Sequence, residues 1–215
     1  MEESTSKEKI LKKIRKALIH KSELDYGTVD FDSEIYASSG EPLEILFAQQ
    51  FTALNGKFAF CENENEFLTT FSSLIKENKW EQVFCLDEKI KTLLKKGDIT
   101  FFDKEADFAN VNVGVTTCEY LIARTGSVLI SSKQESGRRL PAYANYHVVL
   151  AYSNQLVHSV KDALKEMKSK YGNNVPSLIS AITGPSRTAD IEKTLVQGAH
   201  GPKEIYVLLI DSPAN

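Results

Sequence analysis

The spacing of hydrophobic residues along the chain predicts that helices alternate with strands. Apolar residues recur every three or four positions in some segments and form short continuous runs in others. The predicted helices of the first half are 6–20, 42–54, 66–78 and 88–95, and the predicted strands are 57–61, 82–86 and 99–102. Repeated strand–helix units imply parallel strands joined by right-handed crossovers. The pattern therefore predicts an α/β fold with a mostly parallel sheet flanked by helices, preceded by an N-terminal helical segment.

The second half of the chain is richer in turns. We expect a short helix within 113–123, because Thr116 and Thr117 are good N-cap residues. The other predicted helices are 157–171 and 189–197, and the predicted strands are 127–131, 147–152, 177–182 and 204–210. Residues 21–40 show no periodicity and predict a loop or an extended arm. The chain thus divides into an N-terminal helix and arm, residues 1–40, and a single α/β domain, residues 41–215.

Charge and hydropathy argue against three classes of protein: nucleic-acid binders, membrane-spanning proteins and secreted proteins. A net charge of −3 argues against a general nucleic-acid binder. No segment approaches the roughly 20 apolar residues that a transmembrane helix needs. The first residues lack the apolar run of a signal peptide. We therefore expect a cytoplasmic protein without a membrane span.

The three cysteines, Cys61, Cys85 and Cys118, are far apart and form no C-x-x-C pair. This spacing argues against a zinc ribbon or an iron–sulfur cluster held by this chain alone. Free cysteine is usually buried, so we expect these side chains to act as small hydrophobic residues.

The strongest local motif is Gly-Pro-Ser-Arg-Thr-Ala-Asp at 184–190, between a predicted strand and a predicted helix. Gly184 lets the backbone approach a ligand closely. The polar side chains of the motif are Ser186, Arg187, Thr188 and Asp190. A helix N-terminus here would offer free N–H groups and a partial positive charge, which suit a phosphate or a carboxylate. The alternative is an ordinary helix start, in which Asp190 and Glu192 complement the helix dipole.

Two further turns carry candidate chemistry. Gly-Ala-His-Gly-Pro at 198–202 places His200 in a turn, where it can bind an anion, transfer a proton, ligate a metal or serve a structural hydrogen bond. Thr125-Gly126 is a hydroxyl-bearing turn before a predicted strand. No Walker A or Gly-x-Gly-x-x-Gly pattern is present. In an open α/β sheet the 184–190 loop would lie at the carboxyl end of its strand, where ligands usually bind. We expect the functional surface to form where these three loops meet.

Taken in order, these strings resemble the lactate-utilisation protein C family, the LUD domain. The resemblance is firmest over residues 110–211. It implies a fold similar to ribose-5-phosphate isomerase and the CoA transferases. It also implies a part in bacterial oxidation of L-lactate to pyruvate, beside partner proteins that carry the iron–sulfur clusters. The residues that the resemblance places in the site are Thr125, Gly126, Gly184, Ser186, Arg187, Thr188, Asp190, His200 and Gly201.

The first functional hypothesis is a component of a lactate-oxidising complex. Arg187 and the neighbouring hydroxyls would hold a carboxylate, because an arginine fork matches its two oxygens. His200 and Asp190 would be the catalytic side chains, with His200 as general base or orienting donor.

Two alternatives stay open at this point. The chain could be a stand-alone enzyme acting on a phosphorylated or CoA-linked metabolite. A CoA transferase needs a carboxylate nucleophile, for which Glu119 and Glu192 are the candidates. It could instead be a non-catalytic interaction module that docks through the arm at 21–40.

Overall fold

The computed structural model describes residues 5–19, 40–104, 111–191, 194–198 and 200–211, with the backbone alone at 18, 188–191 and 194–197. The chain divides into two compact units, Met1–Ser39 and Gly40–Asn215. In the first unit, helix α1 spans Ser6–Ile19, and the helix predicted there is confirmed. Apart from Gly40, the arm predicted at 21–40 lies outside the described residues.

Five parallel strands form the main sheet of the second unit. Their order across the sheet is β1 (Lys57–Cys61), β11 (Glu204–Ile210), β6 (Tyr146–Tyr152), β3 (Val113–Thr116) and β2 (Val83–Cys85). The interior strand β11 has six consecutive buried residues, Ile205 to Ile210, as expected for a parallel strand covered on both faces. The predicted α/β fold with a mostly parallel sheet is confirmed.

Helices α3 (Glu64–Glu77) and α4 (Glu88–Lys96) cover one face of this sheet. Asn63 and Asp87 cap them, since the side chain of each accepts hydrogen bonds from two backbone amides of the first turn. Phe71 on α3 is fully buried in the resulting core. Local capping and a regular apolar stripe thus account for both helices.

The other face is covered by helix α2 (Leu43–Ala53) and a second sheet. That sheet has the order β7 (Leu156–Val157), β4 (Tyr120–Ile122), β5 (Ser127–Ser131) and β8 (Ile179–Ile182). It is mixed, since β5 runs antiparallel to both of its neighbours and β7 runs parallel to β4. Two further helices are α5 (Leu140–Tyr143) and α6 (Val160–Tyr171), and α6 packs on the second sheet.

The helix predicted within 113–123 is wrong. These residues form β3, then β4, and a short 3₁₀ turn, Ala123–Thr125. Val113 and Val115 are fully buried in the parallel sheet, where β-branched side chains pack well. The Thr117 hydroxyl donates to Asp87 (3.1 Å) rather than capping a helix of its own.

The helix predicted at 189–197 is also wrong. The chain forms an antiparallel pair, β9 (Arg187–Ile191) and β10 (Thr194–Gln197). Arg187 pairs with Gln197, and Gly198 N donates to Ser186 O (3.0 Å) to close the ladder. Within 187–191 and 194–197, the described residues that follow the loop, no helix therefore begins.

Smaller differences concern element boundaries. The strand predicted at 99–102 is reduced to a single bridge between Phe84 and Phe102. The helix predicted at 157–171 begins only at Val160, after the Ser159 cap, and Val157 belongs to strand β7 instead. The strands predicted at 57–61, 127–131 and 204–210 match the structure.

Candidate functional site

The C-terminal end of helix α2 is the place where two of the three predicted loops come together. Gly126 (φ 56°) lies so close that a Cβ there would be 2.5 Å from the backbone N of Phe51. Gly184 (φ 83°) is similarly close, at 2.8 Å from Leu54 O. Both positions combine positive φ with backbone contact, which only glycine accommodates. The two glycines therefore allow both loops to pack against the same turn of α2.

The third loop joins the second through backbone hydrogen bonds. Ser186 N donates to Pro202 O (2.9 Å), and Gly198 N donates to Ser186 O (3.0 Å). A Cβ on Gly201 would lie 3.2 Å from the Ser186 Cβ. The first loop thus meets the second at the end of α2, and the second meets the third at Ser186, so the three loops adjoin one another here. We call this place the three-loop site.

A row of three hydroxyls crosses the site. Thr125 Oγ1 and Ser127 Oγ are 2.8 Å apart, and Ser127 Oγ and Thr183 Oγ1 are also 2.8 Å apart. Ser127 is buried, whereas Thr183 is exposed. The row therefore links the interior of the second sheet to the surface and ends in a hydroxyl that a ligand can reach. Ser127 and Thr183 each adjoin one of the sequence motifs, but the site prediction omitted both.

Arg187 contacts the end of α2 directly. Its Nη2 donates to Leu54 O at 2.7 Å, and the side chain is exposed. A cation at a helix C-terminus is favourable, because the last carbonyls carry partial negative charge. This contact gives Arg187 a structural role. It leaves other N–H groups of the five-donor guanidinium to meet a ligand.

The three loops lie at the edge of the parallel sheet where its strands begin, which we call the amino edge. Pro202 and Lys203 immediately precede β11, and Lys203 N donates to the carbonyl of Asn145 (2.8 Å), just before β6. The 184–190 loop does follow the carboxyl end of its own strand, β8. That strand belongs to the second sheet, however, so the loop is not at the carboxyl edge of the parallel sheet, where α/β proteins usually bind ligands.

The predicted catalytic pair is placed only in part. His200 lies in the turn before β11 and its side chain is exposed. The backbone of Thr188 and Asp190 lies on β9, while their side chains fall outside the described residues. Catalysis by His200 and Asp190 therefore stays a prediction.

A family comparison complements this geometry. The model of the LUD domain matches residues 45–210, which include all three loops. The chain belongs to the LUD domain family. The family suggested by the sequence motifs is thereby confirmed.

Several relatives carry a functional name. A protein of Anoxybacillus flavithermus named Lactate utilization protein C is 27% identical over 187 residues, which are 81% of this chain and 83% of that protein. The protein of the same name from Bacillus subtilis is 36% identical over 111 residues, 50% of this chain and 45% of its own length. An uncharacterised protein of Neisseria meningitidis is 33% identical over 115 residues, 51% of this chain and 49% of its own length. The match thus spans about half the length of the last two relatives.

A solved structure supports the fold. The crystal structure of a DUF162 family protein from Deinococcus radiodurans matches with a TM-score of 0.57 and 14% sequence identity, covering 78% of this chain and 96% of that chain. At this identity the likeness shows the fold alone. Within the described residues, no helix is long and apolar enough to cross a membrane.

Glu119, one candidate for a CoA-transferase nucleophile in this LUD domain, is buried, and both of its carboxylate oxygens accept hydrogen bonds. Its Oε1 accepts from Ser131 Oγ (2.6 Å) and Tyr171 OH (2.8 Å), and its Oε2 accepts from Lys170 Nζ (2.8 Å). Burial raises the pKa of the carboxyl, but these hydrogen bonds outweigh it and hold the pKa below its usual value. This environment suits a structural carboxylate that joins the second sheet to α6. The other candidate, Glu192, lies outside the described residues.

The three cysteines are buried and free, so the interpretation as small hydrophobic side chains is confirmed. Burial raises the pKa of Cys85 to about 12 and also raises the pKa of Cys118. Protonated thiols are poor metal ligands. Among the described residues, no group of three His, Cys, Asp or Glu side chains is arranged to hold a metal ion.

Proposed function

We propose that this chain is a component of a bacterial L-lactate utilisation system and acts with iron–sulfur partner proteins in the oxidation of lactate to pyruvate. The observation that carries the proposal is membership of the LUD domain family, in which relatives are named Lactate utilization protein C. Oxidation of one lactate releases two electrons and two protons. This chain has no C-x-x-C pair to hold a cluster, so the proposal assigns the electrons to the clusters of the partners.

Within this proposal, the three-loop site holds the carboxylate of the substrate. Its support is now the convergence of hydroxyl and guanidinium donors at the end of α2, because the helix N-terminus expected from the sequence does not form. Arg187 supplies charged donors, and Thr183 ends the hydroxyl row at the surface. His200 is proposed as the general base for the substrate hydroxyl, with Asp190 orienting it.

The complex is tested by anaerobic purification of the tagged chain from its own cells grown on lactate. We expect iron to copurify with partner proteins, and the purified material to reduce a dye when lactate is added. Cells grown without lactate provide the control. Repeated recovery of the chain without iron and without partners, also after mild cross-linking, would refute the proposed complex.

The anion site is tested by Arg187→Ala. We expect binding of L-lactate or pyruvate, measured by calorimetry, to weaken by about tenfold or more, the scale of a lost hydrogen bond to a charged group. Arg138→Ala is the matched control, because Arg138 is an exposed arginine that donates a hydrogen bond to Ser177, outside the three loops. Equal affinities of the two variants would remove Arg187 from the site.

A further inference from the structure

A buried histidine lies near the start of β6, the strand that Asn145 links to the segment after the third loop. His147, on β6, is 0% exposed, and so is Thr116 on the neighbouring strand β3. The imidazole Nε2 and Thr116 Oγ1 are 2.8 Å apart. The other nitrogen, Nδ1, is buried and has no hydrogen-bond partner among the described residues. Buried polar groups nearly always have a partner, so this nitrogen calls for an acceptor or a donor.

The sheet register shows which way the histidine faces. His147 pairs with Ile205 on β11, and paired residues of adjacent parallel strands direct their side chains to the same face. Ile205 packs in the cluster formed by Phe47 and Phe51 of α2. His147 therefore faces the side of the sheet that α2 covers, where Gly126, Gly184 and Arg187 also contact that helix.

The histidine also lies near the amino edge. Asn145 precedes β6, and its carbonyl accepts hydrogen bonds from Lys203 N (2.8 Å) and Glu204 N (3.4 Å). The 198–202 turn ends immediately before these two residues. The start of β6 is thus tied to the turn that contains His200 and Gly201.

The contact with Thr116 indicates the protonation of the ring. Burial lowers the pKa of His147 to about 4, so the imidazole is neutral near pH 7 and carries one N–H. If the Thr116 hydroxyl donates to Nε2, that hydroxyl is satisfied and the proton resides on Nδ1. The opposite arrangement leaves both the hydroxyl hydrogen and the Nδ1 lone pair without partners. The first arrangement satisfies more groups, and it makes Nδ1–H a buried donor.

We propose that His147 is a further binding residue of the three-loop site, whose Nδ1–H donates to an oxygen of the bound small carboxylic acid, with Thr116 as the positioning residue. This inference rests on the proposed function. Because the imidazole reaches no solvent, the accepting oxygen lies inside the protein, at the end of the acid away from the exposed Arg187. A neutral donor suits a hydroxyl, an oxo or a carboxylate oxygen, and the two acids of the proposed function, L-lactate and pyruvate, between them carry all three.

The experiment uses the full chain with ¹⁵N-labelled histidine and nuclear magnetic resonance. The chain has four histidines, and comparison with a His147 variant assigns the signals of the buried ring. We expect a neutral ring protonated on Nδ1, and a shift of its Nδ1 signal when L-lactate or pyruvate is added. His20 is the internal control, because it belongs to the other unit of the chain, Met1–Ser39.

Two amide variants separate the two ring nitrogens. The side-chain nitrogen of asparagine lies near the position of Nδ1, whereas that of glutamine lies near Nε2. His147→Asn is expected to retain most of the affinity for the acids, and His147→Gln to lose about tenfold, the scale of one hydrogen bond to a charged group. A merely structural histidine predicts equal affinities for the two variants after correction for folded protein.

The outcomes distinguish this inference from the proposed function. Acids that shift the backbone amide of His200, in the third loop, but leave the Nδ1 signal unchanged and bind His147→Gln as tightly as the parent, overturn the inference alone. That result would mean that an internal water is the acceptor, while the three-loop site still stands. Failure of both acids to bind the parent chain at all overturns the site and this inference together, whereas the iron content of the purified complex still tests the wider function.

Discussion

Replacing Glu119 by glutamine tests whether this buried carboxylate is structural. The amide oxygen of the variant can still accept from Ser131 and Tyr171, because both donate to the same oxygen, Oε1. The amide nitrogen, however, would face Lys170 Nζ, so two donors oppose each other where an ion pair stood. The change therefore removes one charged hydrogen bond while the size of the side chain is kept.

The expected loss follows from that single interaction. A hydrogen bond to a charged group contributes about 1.5–3 kcal/mol. The Lys170 side chain is 51% exposed and can turn to solvent, which favours the lower end of that range, about 2 kcal/mol. Glu166→Gln, on an exposed position of α6, is the matched control and is expected within about 0.5 kcal/mol of the parent.

Urea unfolding followed by fluorescence measures both variants, since the single tryptophan, Trp80, is buried in the core. In the double variant Glu119→Gln with Lys170→Met, the opposing donors are gone, and part of the loss should be recovered. A Glu119→Gln protein as stable as the parent would refute the structural role. If that variant also lost a measured activity, Glu119 would return as a candidate nucleophile.

Two further predictions concern stability. Between about pH 7 and pH 5 the parent is expected to lose roughly 2 kcal/mol more than His147→Gln, because the pKa of the buried ring is lowered and the unfolded state binds a proton that the folded state does not. Urea midpoints at the two pH values check this, and parallel losses would contradict it. Gly126→Ala is expected to lower the melting temperature far more than Gly137→Ala: both have positive φ, but only Gly126 has backbone within contact of a new Cβ. Equal shifts in calorimetry would show that φ alone matters.

The sequence predicted the elements whose formation is local. Helix α4 has an aspartate cap, Asp87, an apolar stripe and a closing glycine, Gly97, all within eleven residues. Strand β11 is a continuous apolar run, typical of a buried parallel strand. In these segments composition, periodicity and capping all favour the same structure, and the tertiary contacts agree with that local preference.

The hairpin of β9 and β10 shows why prediction fails elsewhere. Asp190 and Glu192 are the acidic residues expected in a first helical turn, and they favoured the wrong assignment. The strand pairing is stabilised instead by two backbone hydrogen bonds, from Gly198 N to Ser186 O and from Ser186 N to Pro202 O. These contacts join positions that no short window of sequence contains together.

The candidate site shows the same division. The glycines could be identified because a Gly in a motif suggests a special backbone position, and both Gly126 and Gly184 have positive φ. His147 stood in a strand that was predicted correctly, yet its importance depends on Thr116, 31 residues away, and on a missing partner at Nδ1. A missing hydrogen bond can be found only in three dimensions.

The two edges of the parallel sheet indicate where a ligand is to be sought. At the carboxyl edge, between β2 and β3, the chain satisfies its own polar groups: Asp87 caps α4, the Thr117 hydroxyl donates to Asp87, and Gln134 Nε2 donates to Thr117 Oγ1 (3.1 Å). The Glu135 carboxylate even accepts from the backbone N of Glu88 (2.6 Å), the position at a helix N-terminus that an anionic ligand would take. At the amino edge the motif loops meet instead, with an exposed arginine and an open-ended hydroxyl row. Since the protein's own side chains occupy this part of the usual binding edge, ligand searches in this LUD domain begin at the amino edge.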